Sequence, residues 1–380
     1  KLIDVYDENG TFKKEKFEKL LERNKLHKIW PRTSKGSLKT SDKVLDNFKH
    51  YKDIQILRET KRLCDSDKLK GYNIGSDGRS RSPVKMFRTV TGRCAWSSST
   101  YPFGSARWTR EFIKPPAGYM YAYIDWCFQE PCISAYLSGD KNLIEDVQSG
   151  DVYLAAAKRV HAVPDAATKK SHPEERNIYK KGVLASSYLM GARSLAHQLK
   201  ISLKDGYNVH VKIRRAYWHY FKWGDLIVRK LQGQNKLQTL YGWTRHIPRG
   251  HKVNLRSIAN WPIQAHGSEM LRGALMEVIH AGLEVHAVIH DALLVLIPLE
   301  NSEHWIKVAQ EKMQQVAYEI TGGVINTDVE IIKDRWFQKR EDDKTGPGDV
   351  YDEVMSLVEE EAKKDEFLEQ DLTEDRFEDE

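Results

Sequence analysis

Val285-His-Ala-Val-Ile-His-Asp-Ala-Leu-Leu-Val-Leu-Ile-Pro298 reads as two apolar strands joined by a tight turn, and the turn carries His290 and Asp291. A second strand-like run, Gly118-Tyr-Met-Tyr-Ala-Tyr-Ile-Asp125, alternates as a buried strand does and also ends on an aspartate. Either acid alone reads as an ordinary strand-end or turn residue. Set at adjacent strand ends, the two would suit a pair of Mg²⁺ ions about 3.5–4 Å apart.

Between these runs Ser171-His-Pro-Glu174 has the pattern of a capping box with proline in the first turn, which predicts a helix from there to about Met190. Arg176, Lys180, Leu184 and Tyr188 fall on it at four-residue spacing. Each step drifts by about 40°, so the four form one curving stripe about 18 Å long. Arg176 and Lys180 lie near the N-terminal end, where the helix dipole and free N–H groups favour phosphate. Leu184 and Tyr188 stand further along, where a sugar and base would follow a triphosphate. Joining a hydroxyl to a nucleoside triphosphate needs little covalent work from protein, but the developing negative charge must be held by metal ions and cations in a fixed geometry.

Outward from this centre, residues 12–26 read as a basic amphipathic helix, 43–62 as one or two more, and 71–83 as a flexible basic loop. Residues 207–231 suggest one long aromatic-rich helix, residues 239–243 the tip of a hairpin, and residues 254–281 a helix kinked at Pro262. The whole is an α+β pattern without internal repeats.

The 380 residues suffice for two or three subdomains. The longest mostly apolar stretch, 287–299, is too short to span a bilayer, and the start is no signal peptide. It begins at Lys1 rather than Met, as a fragment or processed piece would. Four cysteines, Cys64, Cys94, Cys127 and Cys132, show neither a disulfide framework nor zinc spacing, which points to a reducing compartment. The net charge of +6 conceals a division: residues 341–380 hold 18 of the 54 acidic side chains and only 4 of the 60 basic ones, so the body retains 56 basic against 36 acidic. A body of that sign suits a polyanionic partner. The acidic tail is expected to be disordered, apart from a weak helical pattern over 350–368.

Taken together, the motifs resemble the polymerase region of family A DNA polymerases, the bacterial DNA polymerase I family, with a phage- or plasmid-like character. Asp125-Trp-Cys-Phe-Gln-Glu130 is similar to the family's first palm motif, an Asp followed five residues later by Glu. Arg176, Lys180, Leu184 and Tyr188 match its fingers motif, and His290-Asp291 its last palm motif. Thr91-Gly92-Arg93 and the set Arg256, Asn260, Gln264 match two further signatures, all in the family's order over about residues 85–335.

The resemblance implies a right-hand fold, with an antiparallel-sheet palm, helical fingers and a short helical thumb. It suggests residues 1–90 as thumb, 91–145 as first palm segment, 146–250 as fingers, 251–340 as second palm segment and 341–380 as the acidic tail. Asp125 and Asp291, with the backbone carbonyl of Trp126, would bind two Mg²⁺ ions, with Mn²⁺ able to substitute. Lys180 would stabilise the pyrophosphate leaving group and Arg176 the outer phosphates, while Tyr188 closes over the nascent pair. Glu130 would sit where a 2′-hydroxyl clashes. Arg93, Arg256, Asn260 and Gln264 would test pair shape in the minor groove, and His290 would lie near the primer end.

The chain departs from the family pattern at several positions. Leu184 replaces the usual Phe, Leu189 the Gly after Tyr188, Tyr153 a phosphate-contacting His, and Ala292 a Glu common after the catalytic Asp. The implied activity is DNA synthesis from dNTPs on primer–template DNA, without proofreading in this chain. Implied too are a monomer in the cytoplasm of a bacterium or phage-infected host, and a missing N-terminal exonuclease domain or other replication proteins as partners. Two rivals are a single-subunit RNA polymerase, which lacks the acid corresponding to Glu130, and a silent DNA-binding scaffold, which has no need of Asp125 and Asp291.

Overall fold

Strand β3 (Tyr119–Trp126) lies between β7 (Ala292–Pro298) and β8 (Thr327–Ile332), and β6 (Glu284–Ile289) completes a four-stranded antiparallel sheet in the order β6-β7-β3-β8. This computed structural model describes residues 5–7, 11–33, 36–65, 71–97, 100–105, 107–248, 254–336 and 351–362. Its contacts divide the chain into two units, Val84–Ala95 with Glu111–Arg340, and Lys1–Pro83 with Trp96–Arg110 and Glu341–Glu380.

The sheet belongs to the larger unit. Met120, Ala122, Ile124 and Trp126 are all buried, and they share a core with Leu293, Val295 and Ile297 of β7. The long helices α12 (Trp261–His280) and α13 (Ser302–Thr321) bring Met270, Ala274, Met313 and Ala317 to the same core. After β3 the chain turns at Phe128, which takes a left-handed conformation (φ 52°), and α4 (Gln129–Ser138) starts at once. That reversal places Glu130 in the first turn of α4, where a carboxylate also suits the helix dipole.

Six helices follow: α5 (Lys141–Gln148), α6 (Val152–Arg159), α7 (Pro173–Ser187), α8 (Ala192–Leu199), α9 (Leu203–Ala216) and α10 (Trp218–Gln234). Buried Asp146 ties α5 to α6 and to the break between α9 and α10, accepting from Arg159 at 2.7 and 2.9 Å and from the Tyr217 hydroxyl at 2.6 Å. The strands β4 (Lys236–Gln238) and β5 (Thr244–His246) form the expected hairpin, and the short α11 (Leu255–Ala259) leads into α12.

Two local expectations are corrected. Ser171 does not cap α7: the first helical residue is Pro173, His172 takes the cap position without a side-chain bond to the helix, and Ser171 is spent on Thr168, whose N–H it accepts at 2.9 Å, and on the His172 ring at 2.8 Å. The aromatic helix over 207–231 is two helices, broken at Tyr217 (φ −115°, ψ 44°), whose hydroxyl is anchored on Asp146. Residues 71–83 lie in a loop, in which Gly75 N–H donates to Arg79 O at 3.0 Å and Arg81 clasps Asp77 at 2.6 Å.

At the C-terminal end of α7 the left-handed residue is Leu189 (φ 51°), with Met190 N–H donating to Ala185 O and Leu189 N–H to Ser186 O, each at 2.9 Å. This is the Schellman closure usually built on glycine. The left-handed backbone costs Leu189 about 1–2 kcal/mol. Packing of its side chain on the core offsets part of that cost.

The smaller unit holds α1 (Lys14–Arg23), α2 (Asp42–Asn47) and α3 (Lys52–Asp65), as the amphipathic spacing predicts. Phe17, Leu21, Trp30, Leu45, Ile54 and Leu57 form their core. Residues 351–362 of the acidic segment are helical, while the remainder of 341–380 lies outside the described residues. The two-residue strands β1 (Val84–Lys85) and β2 (Ala95–Trp96) flank the Thr-Gly-Arg loop. Among the described residues no helix is long and apolar enough to cross a membrane.

Candidate active site

Asp125 and Asp291 meet at one end of the sheet. Asp125 pairs in register with Ala292, the residue after Asp291, and the β6–β7 turn consists of His290 and Asp291 alone, with His290 left-handed (φ 56°). Burial raises both carboxyls above the usual range, Asp125 further because the Asp291 charge lies beside it. Arg93 and His290 pull Asp291 the other way. Asp125 Oδ1 is buried without a hydrogen-bond partner.

A pair of half-buried, mutually repelling acids with an unmatched oxygen fits a divalent cation. The ladder also fixes the backbone there. Cys127 N–H donates to Asn326 O at 2.8 Å on the β8 side, so Asp125 faces β8 as well and Trp126 turns its carbonyl the opposite way, towards Asp291. The three groups expected to hold metal therefore share one strand end. Among the described residues no three His, Cys, Asp or Glu side chains converge on a single ion position.

Glu130 anchors a second group. Its Oε1 accepts from Gln264 at 2.6 Å and from the Tyr188 hydroxyl at 3.0 Å, and Gln264 also donates to that hydroxyl at 3.0 Å. Burial, then the Glu130 charge, pushes the Tyr188 phenol up to about 12, so it stays a donor. Gln264 is within reach because α11 and α12 run on through Asn260, whose αR backbone keeps Arg256, Asn260 and Gln264 in register. Asn260 N–H donates to Arg256 O and Gln264 N–H to Asn260 O, both at 3.2 Å. The one helix expected over 254–281 is thus two, divided at Asn260, and Pro262 sits in the first turn of α12. Asn260 is buried, with Oδ1 unpartnered, and Arg256 is exposed.

On α7, Lys180 is exposed and Leu184 packs on the core. Arg176 donates to Asp151 at 2.5 Å and lies 5.7 Å over the Tyr153 ring. Tyr153 is buried beneath it, its hydroxyl raised to about 12 chiefly by burial. Tyr153 therefore supports Arg176 from below.

The Thr-Gly-Arg loop is fastened from three sides. Val90 O accepts from Trp261 Nε1 at 2.7 Å and Trp243 Nε1 at 3.2 Å, and Gly92 O accepts from Arg272 at 2.7 Å. Trp243 is held in turn by buried Glu269, which accepts its N–H at 3.3 Å and the Thr239 hydroxyl at 2.5 Å. Asp151, Arg272, Glu269 and Trp243 escape sequence reasoning because none stands in a spaced motif with the residue it supports.

Strand β3 thus ends at Asp125 and Trp126 beside the turn that bears Asp291, and Tyr188 at the end of α7 reaches Glu130 at the start of α4. The sequence profile of DNA polymerase family A matches residues 11–333, and the chain belongs to that family. DNA polymerase I of Aquifex aeolicus is 26% identical over 331 residues, covering 80% of this chain and 55% of that protein. The DNA polymerase of Mycobacterium phage D29 is 27% identical over 269 residues, covering 69% of this chain and 42% of that protein. The chain thus spans about half the length of these relatives. A solved structure described as the POL domain of Pol1 from M. smegmatis in complex with DNA primer-template and dNTP shares the fold, with a TM-score of 0.71 at 22% identity, covering 85% of this chain and 60% of that one.

Proposed function

We propose that this chain catalyses template-directed DNA synthesis, adding deoxynucleotides from dNTPs to a primer 3′-hydroxyl with release of pyrophosphate. The observation that carries the reading is the meeting of Asp125, Asp291 and the Trp126 carbonyl at one strand end. On this reading α1–α3 serve as thumb, α6–α10 as fingers and the four-stranded sheet as palm.

Two Mg²⁺ ions, or Mn²⁺ in their place, would be held by Asp125, Asp291 and the Trp126 carbonyl, and would supply activation of the 3′-hydroxyl and neutralisation of phosphate charge. The remaining work falls to side chains. Lys180 offers its exposed ammonium to the leaving pyrophosphate and acts as its proton donor. Arg176, preset by Asp151 and Tyr153, binds the outer phosphates. Tyr188 and Leu184 face the incoming base and sugar. Glu130, pinned by Tyr188 and Gln264, occupies the space a 2′-hydroxyl would need. Arg93, Arg256, Asn260 and Gln264 grip the primer–template minor groove, and His290 stands by the primer end.

The test is primer extension with each dNTP supplied alone against a known template base. Extension should require divalent cation and the complementary dNTP. Asp291→Ala should abolish it while leaving DNA binding within a few-fold; unaltered extension by that variant would sink the proposal.

A further inference from the structure

Asp125 has two neighbours across the sheet: Ala292 on β7 and Asp328 on β8. Directly paired residues of an antiparallel ladder project to the same face, with Cβ atoms about 4.5–5.5 Å apart. The ladder phase set by Cys127 and Asn326 makes Asp125 and Asp328 a hydrogen-bonded pair, so two carboxylates stand side by side. Like charges so placed destabilise a sheet. Among the described residues no basic side chain forms an ion pair with either acid, and Asp125 Oδ1 has no partner at all. No ion pair from a described side chain offsets that repulsion, so a bound cation would be favoured there.

We propose that Asp328 is the third acid of the cation site, a positioning residue that places on the β8 flank of Asp125 the charge that Ala292 omits on the β7 flank, and that it acts through cation-bound water. Direct ligation is not the mode, since no three acidic, His or Cys side chains converge on one ion position among the described residues. Mg²⁺ commonly keeps several of its waters, and Asp328 is exposed at the strand end where such waters would stand. A carboxylate there orients the cation's water shell and adds attraction without displacing a ligand. The next acid along that face, Glu330, pairs with Tyr123 and is engaged by Trp336 Nε1 at 3.2 Å, whereas Asp328 meets the Cys127 thiol, a weak donor, and stays exposed at the strand end.

This inference rests on the reading of Asp125 and Asp291 as cation holders, and one titration separates the two. Mn²⁺ is added to the full chain bound to primer–template DNA without nucleotide, and free Mn²⁺ is followed by electron paramagnetic resonance. Asp328→Asn should weaken binding by about tenfold, Asp328→Ser should do the same, and Asp328→Glu should stay close to the native chain. Glu330→Gln, which removes one charge from the same face, should change nothing. Native-like binding by both Asp328→Asn and Asp328→Ser overturns the inference alone, as does an equal loss in Glu330→Gln, which would mark a general charge effect. If the native chain binds no more Mn²⁺ than the Asp125→Asn, Asp291→Asn double variant, the cation site itself fails.

Discussion

Tyr188 donates its hydroxyl to Glu130 at 3.0 Å across 58 residues of sequence, joining the end of one helix to the start of another. Gln264 closes the triangle from a third helix. A carboxylate held from two directions makes a rigid wall, and a rigid wall discriminates by exclusion.

Glu130→Ala should open that wall. Incorporation of rNTP relative to dNTP should rise by about tenfold or more, equivalent to about 1.4 kcal/mol of lost discrimination. Single-nucleotide incorporation with matched dNTP and rNTP measures the ratio, and an unchanged ratio would assign sugar selection elsewhere.

Lys180 is exposed on the same helix as Arg176, and no charged partner holds it among the described residues. Its replacement by Ala should therefore leave folding intact while slowing incorporation by about 10²–10³-fold, the usual cost of losing one charge-stabilising donor. Single-turnover rates and thermal melting would be compared; a small rate effect would remove Lys180 from the chemistry.

Gly92 has φ 74°, and a Cβ added there would lie 3.0 Å from Trp243 Cε2. Gly92→Ala should cost about 1–3 kcal/mol in strain and displace Arg93 from the strand end. A lowered melting temperature together with weaker primer–template binding, read by fluorescence anisotropy, is expected. Loss of stability with unaltered DNA affinity would show that the loop does not set Arg93.

Burial and the neighbouring Asp291 push the Asp125 carboxyl up to about 7. Without cation the native state thus binds a proton that the unfolded chain has released, so this group lowers stability as pH rises from about 4 to about 7. Asp125→Asn lacks that penalty. Its stability relative to the native chain should increase over this window, level off above it, and shrink when Mg²⁺ is added. Urea unfolding at a series of pH values checks the trend, and a pH-independent difference would contradict it.

The sites most legible in sequence were those that share one element with their partners. Arg176, Lys180, Leu184 and Tyr188 were readable as a stripe because helical geometry relates residues four apart, and the two apolar runs announced strands because burial selects alternating or continuous apolar residues. The break at Tyr217 was not readable: it depends on Asp146, 71 residues away, capturing a phenol. The Ser171 cap failed for a similar reason, since Thr168 competes for the same hydroxyl.

The charged positions, the strand and helix periods and the order of motifs that marks the family are all properties of the linear chain. Which distant groups meet is settled by folding: Asp151 under Arg176, Glu269 behind Trp243, and Asp328 beside Asp125. The physical reason is that local periodicity follows from the geometry of a single chain segment. Strand register and helix packing instead follow from burial across the whole core, and no short spacing encodes them.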